Sequence, residues 1–201
     1  MPRSRSGQPG SQSEGGGLPA PCCCRPAAPG WAPNLTWITD DLAIGGHVPA
    51  DRIGTLADSV GVGAVVDCRR EDRDDAAHLA RHGIRFLHLP TDDHGALRRS
   101  DLREGVAFAT RATAEGRRVL VHCQHGIGRS ATLALCILVE RGMEPLEALT
   151  LAKDRRELVS PSPAQYECWV DWLRAHPRAE SWTVPDFPSF KAVAYRHLLE
   201  P

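Results

Sequence analysis

The stretch that most constrains this chain is residues 119–139. There an apolar, β-branched run meets a short loop with two glycines, then a segment apolar on nearly every face. Val119, Leu120 and Val121 suit a buried strand, and residues 131–139 suit a helix with no wet side. A strand feeding a buried helix through so short a turn is a unit of an α/β layer, with helices packed on the faces of a sheet. The expected fold class is therefore α/β: a single domain with a central, largely parallel sheet flanked by helices.

The flanking sequence repeats the alternation. Residues 62–67 form another apolar, β-branched run, residues 72–82 fit a helix, and residues 84–89 alternate like a strand. Ser100 is placed to cap a helix that carries Leu102, Val106 and Ala109 on one face, and residues 118–122 return to strand. The buried helix should stop at Gly142, and Pro145 and Pro163 each suit the first turn of a further helix. Tyr166, Trp169, Val170 and Leu173 follow helical spacing, which makes them core. Beyond residues 182–190, read as a loop, residues 191–199 suggest a closing helix.

Residues 1–30 differ in kind. Gly and Pro supply 12 of the 30 positions, and Leu18 is the only large aliphatic residue after Met1. Such a segment has too little apolar surface to offset the entropy of ordering it, so a disordered tail is expected, with the folded domain spanning 31–201. It lacks the apolar run of a signal peptide, and its Met-Pro start lacks the glycine that myristoylation needs. Cys22, Cys23 and Cys24 are adjacent, without zinc-ligand spacing, and read as solvated.

The formal net charge of −1 disfavours a nucleic-acid binder. No stretch reaches the roughly 18 uncharged apolar residues of a membrane helix. A cytoplasmic monomer is the expectation, with seven cysteines kept reduced.

Residues 122–130 (HCQHGIGRS) combine parts that suit one chemistry. The backbone amides of Gln124, His125, Gly126, Ile127 and Gly128, with the start of the following helix, form a ready cradle for an anion. Gly126 and Gly128 permit backbone conformations that a side chain forbids. Arg129 offers a planar fork to two phosphate oxygens. The field that holds phosphate also stabilises a Cys123 thiolate below the ordinary ~8.5, giving an activated nucleophile. Ser130 can donate its hydroxyl to that sulfur and ease its departure, and His122 supports the loop through ring hydrogen bonds. No metal or other cofactor is called for, because Arg129 and the amides supply the charge.

With its flanking strand, both glycines, the serine and the apolar helix, His-Cys-x5-Arg-Ser at 122–130 resembles the signature of the protein tyrosine phosphatase superfamily, in its small dual-specificity branch. The resemblance spans about residues 36–175. It includes residues 37–46 (WITDDLAIGG), similar to the family's opening strands, and residues 158–165 (LVSPSPAQ), similar to its Ser-Pro-x-x-x-Gln stretch. Ser160 and Gln165 read as structural there, with Gln165 placed near the attacking water in a minor reading.

The resemblance implies a general acid on a loop about thirty residues before the cysteine. Residues 89–94 (LPTDDH) fill that place; Asp93 lies 30 positions before Cys123 and fits Pro-x-x-Asp from Pro90, while Asp92 is the second candidate. The implied function is a cysteine-dependent phosphatase cleaving phosphate monoesters of proteins through a phosphocysteine. Alternatives are a non-protein phosphoester phosphatase, a phosphate-binding pseudophosphatase adaptor, and sulfur transfer on a rhodanese-like fold.

The loop has no lysine, which weighs against phosphoinositides. Arg69, Arg70 and Arg73 interleave with Glu71, Asp72, Asp74 and Asp75, so a solvated charged face is expected there. Cys68 is either a buried strand-end residue or, as in some family members, a disulfide partner for Cys123; Cys136 and Cys168 read as core. His78 with His82, and His122 with Cys123 and His125, are too incomplete as ligand sets to make metal the leading reading.

Overall fold

The structure, a computed structural model, describes residues 31–198. Its centre is β5 (Arg118–His122), flanked by β2 (Leu42–Gly45) and β3 (Val62–Arg69), with β1 (Leu35–Trp37) and β4 (Arg85–Thr91) at the edges. The order is β1-β2-β5-β3-β4; only the β1–β2 pair is antiparallel. The sequence expectation of a largely parallel sheet is met.

Strand side chains alternate between two cores, as a two-residue period requires. Leu42, Ile44, Ala64, Val66, Val119 and Val121 face the larger core. That core is closed by α3 (Arg99–Ala114), α4 (Arg129–Glu140), α5 (Pro145–Arg155), α6 (Pro163–Arg174) and α7 (Phe187–Ala194). Ala43, Val65 and Leu120 face the other side, packing on α1 (Ile53–Asp58) and α2 (Ala76–Arg81). Every residue of α4 from Arg129 to Val139 is buried. Its Leu133, Leu135, Ile137 and Leu138 each contribute about 1.5–3 kcal/mol of apolar burial, which pins the loop before it.

Local chemistry adjusts several boundaries. α2 starts at Ala76, later than expected, because the Asp75 carboxylate accepts the amides of Ala77 and His78 and caps the helix. Ser100 is not a cap: α3 begins at Arg99, and the Ser100 hydroxyl turns to Asp101. α6 opens on a capping box in which Ser162 and Gln165 exchange bonds, with Pro163 at its start. The closing helix runs earlier than expected, since Asp186 caps α7 through the Ser189 amide; a short turn, Arg196–Leu198, follows. The expected tail at 1–30, with Cys22, Cys23 and Cys24, lies outside the described residues, as does Leu199. Among the described residues, no helix is long and apolar enough to cross a membrane.

Candidate active site

β5 ends inside the molecule and delivers Cys123, 3% exposed, to the carboxyl edge of the parallel strands, where α/β sheets open a crevice. The chain then turns through residues 124–128 into α4. Gly126 takes a φ of 72°, and a Cβ there would stand 2.6 Å from the backbone of Gly45, so the turn admits only glycine. At Gly128 a Cβ would run into the side-chain amide of Gln165.

The Cys123 sulfur lies 3.3 Å from the Ser130 hydroxyl and accepts the Gly126 amide at 3.3 Å. Burial alone would push its ionisation up. Hydrogen bonds from the Ser130 hydroxyl and from the Ser130, Gly126 and His125 amides outweigh that and hold the thiol below its ordinary range.

Arg129 is 2% exposed, with its guanidinium beside this sulfur. Nη1 donates to Thr91 O at 2.9 Å, and Nη1 and Nη2 grip the two carboxylate oxygens of Glu71 at 2.7 and 2.8 Å. Nη2 also stands 3.1 Å from Asp93 Oδ1. Nε is buried without a partner among the described residues. One edge of the fork is thus committed to Glu71, and the Nε edge keeps an unmet donor.

Asp93 lines the pocket with Cys123, His94, His125, Ile127, Arg129 and Gln165, a cavity of about 70 Å³. Asp92 turns away, to Arg70 Nε at 2.9 Å, with 71% of its side chain exposed. Of the two candidate acids, Asp93 is the one that shares a pocket with Cys123 and approaches Arg129. A roomier groove of about 640 Å³, lined by Arg103, Trp172 and His176, holds neither the cysteine nor the phosphate loop.

His122 is buried, with Nε2 donating to Asp74 Oδ2 at 2.9 Å and Nδ1 3.4 Å from Cys123 O. Burial disfavours the imidazolium, but the Asp74 hydrogen bond and the Asp67 and Asp74 charges prevail and raise its pKa. With both nitrogens facing acceptors, this ring supports the loop. Asp67, Asp74 and His122 converge closely enough to suggest a cation. The Arg69 guanidinium already supplies that charge, donating to Asp67 and Asp74 at 2.6 to 2.9 Å.

The charged stretch at 69–75 is the solvated face expected from its pattern except at Arg69 and Asp74, which turn inward. Arg69 is fully buried, bonded also to Asp72 and to His47 Nδ1, and Glu71 reaches Arg129. Arg70, Glu71, Asp72, Arg73 and Asp75 keep to the exposed surface. Interleaved charges carry no mark of which ones the fold turns inward.

Arg156 was also missed. Its Nε donates to Gly126 O at 2.8 Å and its Nη2 to His125 O at 2.9 Å, so two loop carbonyls turn outward and their amides inward. Its position four residues before Ser160 was the one available signal. The Ser160 amide donates to Ile127 O, and Gln165 Nε2 to Gly95 O, which makes both residues supports of the site. The Gln124 carbonyl accepts from the His47 amide, tying the loop to the end of β2. Cys68 is a fully buried free thiol; burial, then the Cys123 and Asp67 charges, push its ionisation well up. Cys136 is core, while Cys168 is only partly buried, with its thiol donating to Gln165 O.

Residues 50–174 match the family model "Dual specificity phosphatase, catalytic domain". Dual specificity protein phosphatase 1-A of Xenopus laevis is 32% identical over 123 residues, covering 60% of this chain and 32% of that one. Human dual specificity protein phosphatase 2 is 38% identical over 81 residues, covering 39% and 26%. The match spans about a third or less of the length of these relatives. Among solved structures, PTPMT1 in complex with PI(5)P superposes with a TM-score of 0.65 at 25% identity, covering 69% of this chain and 94% of that one. Human DUSP28 gives 0.62 at 24% identity, covering 72% and 96%, a likeness of fold. With 125 residues matched from α1's approach to the end of α6, this chain belongs to the dual specificity phosphatase catalytic-domain family.

Proposed function

We propose that this protein is a metal-independent phosphatase that hydrolyses phosphate monoesters through a phosphocysteine. The observation that carries the reading is the Cys123 sulfur, held by the Ser130 hydroxyl and the Gly126 amide, in one pocket with an Arg129 fork whose buried Nε has no partner among the described residues. A phosphate dianion satisfies that donor and the inward amides together.

In the first step the Cys123 thiolate attacks phosphorus in line, and the bond to the leaving oxygen breaks as Asp93 gives that oxygen its proton. Arg129 and the amides of residues 124–128 hold the equatorial oxygens. In the second step the Asp93 carboxylate takes a proton from water. That water's oxygen attacks the phosphocysteine, releasing phosphate and the thiolate, which the Ser130 hydroxyl steadies.

Phosphorylated proteins, at tyrosine or at serine and threonine, are the favoured substrates, with small phosphoesters second. Loop positions 124–128 carry no lysine to meet the further phosphates of a polyphosphorylated headgroup. A pseudophosphatase adaptor is disfavoured, because nucleophile, arginine and acid all line one pocket. Sulfur transfer does not need the aspartate. A monomer in the reducing cytoplasm, without a nucleic-acid partner, completes the proposal.

Purified protein should hydrolyse an aryl phosphate without added metal, and Cys123→Ser should lose at least about a thousandfold in kcat/KM. Unimpaired turnover by that variant, or thiosulfate sulfurtransfer in place of phosphatase activity, overturns the assignment. A panel of phosphotyrosine and phosphoserine peptides, a phosphoinositide and a sugar phosphate then ranks the substrates.

A further inference from the structure

Behind the phosphate loop runs a strap, residues 156–161, that touches it at three successive carbonyls. The Arg156 guanidinium donates to His125 O at 2.9 Å and Gly126 O at 2.8 Å, and the Ser160 amide donates to Ile127 O at 3.0 Å. These bonds turn the carbonyls outward, and in so short a turn that fixes where the intervening amides point.

The strap is itself gripped from its far side. Lys153 is fully buried, and its ammonium donates to Glu157 O at 2.5 Å and Val159 O at 3.0 Å. No carboxylate is among its hydrogen-bond partners; its remaining contacts are the Ser160 hydroxyl at 3.4 Å and His197 Nδ1 at 2.7 Å. A buried ammonium costs heavily unless its protons are matched, so four acceptors converging on one Nζ mark a built junction.

The C-terminal segment, residues 187–198, supplies one of those acceptors and two further bonds. The Tyr195 hydroxyl donates to Pro161 O at 2.6 Å, and the Ser160 hydroxyl donates to Ala194 O at 3.2 Å. Phe190 and Ala194, fully buried in the larger core, seat this segment firmly. It lies wholly beyond the residues that match the family model, which end at 174.

We propose that residues 187–198 set the geometry of the phosphate loop through the strap, with Lys153 and Tyr195 as positioning residues. The loop's amides are aimed by a strap that is aimed by the C-terminal segment. Neither Lys153 nor Tyr195 lines the pocket, so removing one of their bonds reaches Cys123 through the strap. The kinetic arm of the test rests on the phosphatase reading; the chemical arm does not.

The test compares full-length Tyr195→Phe, Lys153→Met and Arg196→Ala with the parent. Arg196 belongs to the same segment but pairs with Asp154 and makes no hydrogen bond to the strap. The first readout is the rate of Cys123 alkylation by iodoacetamide against pH, followed by peptide mass. The second is kcat/KM for an aryl phosphate with the inhibition constant for inorganic phosphate. For Tyr195→Phe the alkylation midpoint should move upward, because less well-aimed amides stabilise the thiolate less. Its kcat/KM should fall, and its phosphate inhibition constant rise, by about fivefold at a temperature well below the melting point of either protein. Lys153→Met should move both in the same direction and further, and Arg196→Ala should match the parent.

A Tyr195→Phe protein with the parent's midpoint and phosphate affinity overturns the proposal, whether or not Lys153→Met folds. If the parent hydrolyses no phosphoester, the functional assignment falls, and the alkylation midpoints still decide the role of the segment.

Discussion

Glu71 and Arg129 meet carboxylate to fork, with both Glu71 oxygens within 2.8 Å of the terminal nitrogens of the arginine. The hydrogen bond from Arg129 is the main reason that the Glu71 carboxyl is held down to about 2. Glu71 takes one edge of the guanidinium, and Nε on the other edge is buried with no hydrogen-bond partner among the described residues.

If Glu71 orients Arg129, its loss should weaken phosphate binding. Glu71→Gln is expected to lower kcat/KM by about three- to tenfold, a charge-assisted bond discounted for a carboxylate 42% exposed. A rise in kcat/KM would show instead that Glu71 competes with substrate for the fork. The depressed pKa makes the contribution of Glu71 to folding complete above about pH 4.3 and lost as pH falls toward about 2. Urea midpoints of parent and variant should thus keep a constant separation between about pH 5 and 8.

Ser130→Ala removes the hydroxyl 3.3 Å from the nucleophile, the largest influence lowering its pKa. The pH midpoint of Cys123 alkylation should rise. Turnover should slow about tenfold, with phosphoenzyme accumulating in rapid-quench experiments because the thiolate leaves less readily. An unmoved midpoint would remove Ser130 from the thiolate's support.

Asp93 and Asp92 separate cleanly by substitution. Asp93→Asn should cost about 10²–10⁴ in kcat for an alkyl phosphate, whose leaving oxygen needs a proton, and less for an activated aryl phosphate. Asp92→Asn, at a side chain paired with exposed Arg70, should stay within about twofold. The reverse ranking would assign the acid to Asp92.

Gly126→Ala places a methyl against Gly45 in a left-handed turn. A loss of more than about 2 kcal/mol, or a loop shift that abolishes turnover, is expected in denaturation and activity assays. A variant equal to the parent in both would mean that the turn relaxes freely.

His122 and Asp74 form a buried pair in which burial opposes the imidazolium and the Asp74 bond and charge more than restore it. A raised folded-state pKa contributes stability that is full below the ordinary value of about 6.5 and fades as pH rises through the folded one. The destabilisation of Asp74→Asn should thus be larger at acid than at alkaline pH, with the His122 NMR titration moving downward. A destabilisation independent of pH would assign the cost to the lost Arg69 contact alone.

Much of this protein is legible locally. The β5–loop–α4 unit, the parallel sheet and the helix starts at Pro145 and Pro163 follow from apolar periodicity and backbone chemistry, which neighbours in sequence largely decide. Ser100 misled for a related reason: a cap depends on the entry angle of the chain, and here Asp101 captures its hydroxyl. The charged run after β3 was opaque, because Arg69 and Glu71 differ from Arg70 and Asp72 only in what lies across from them.

The same divide runs through the site. Sequence alone placed Cys123, the glycines and Arg129, the proposed nucleophile, cradle and phosphate fork, within nine consecutive residues whose geometry is local. For the acid, the family resemblance favoured Asp93 by its spacing from Pro90, with Asp92 as the second candidate. Only the tertiary structure decided which aspartate shares a pocket with Cys123, which edge of Arg129 Glu71 takes, and that Arg156 bonds the loop carbonyls while Lys153 and Tyr195 bond the strap beside it. Those choices join positions up to about seventy residues apart, and burial and hydrogen-bond satisfaction, summed over the whole core, select them.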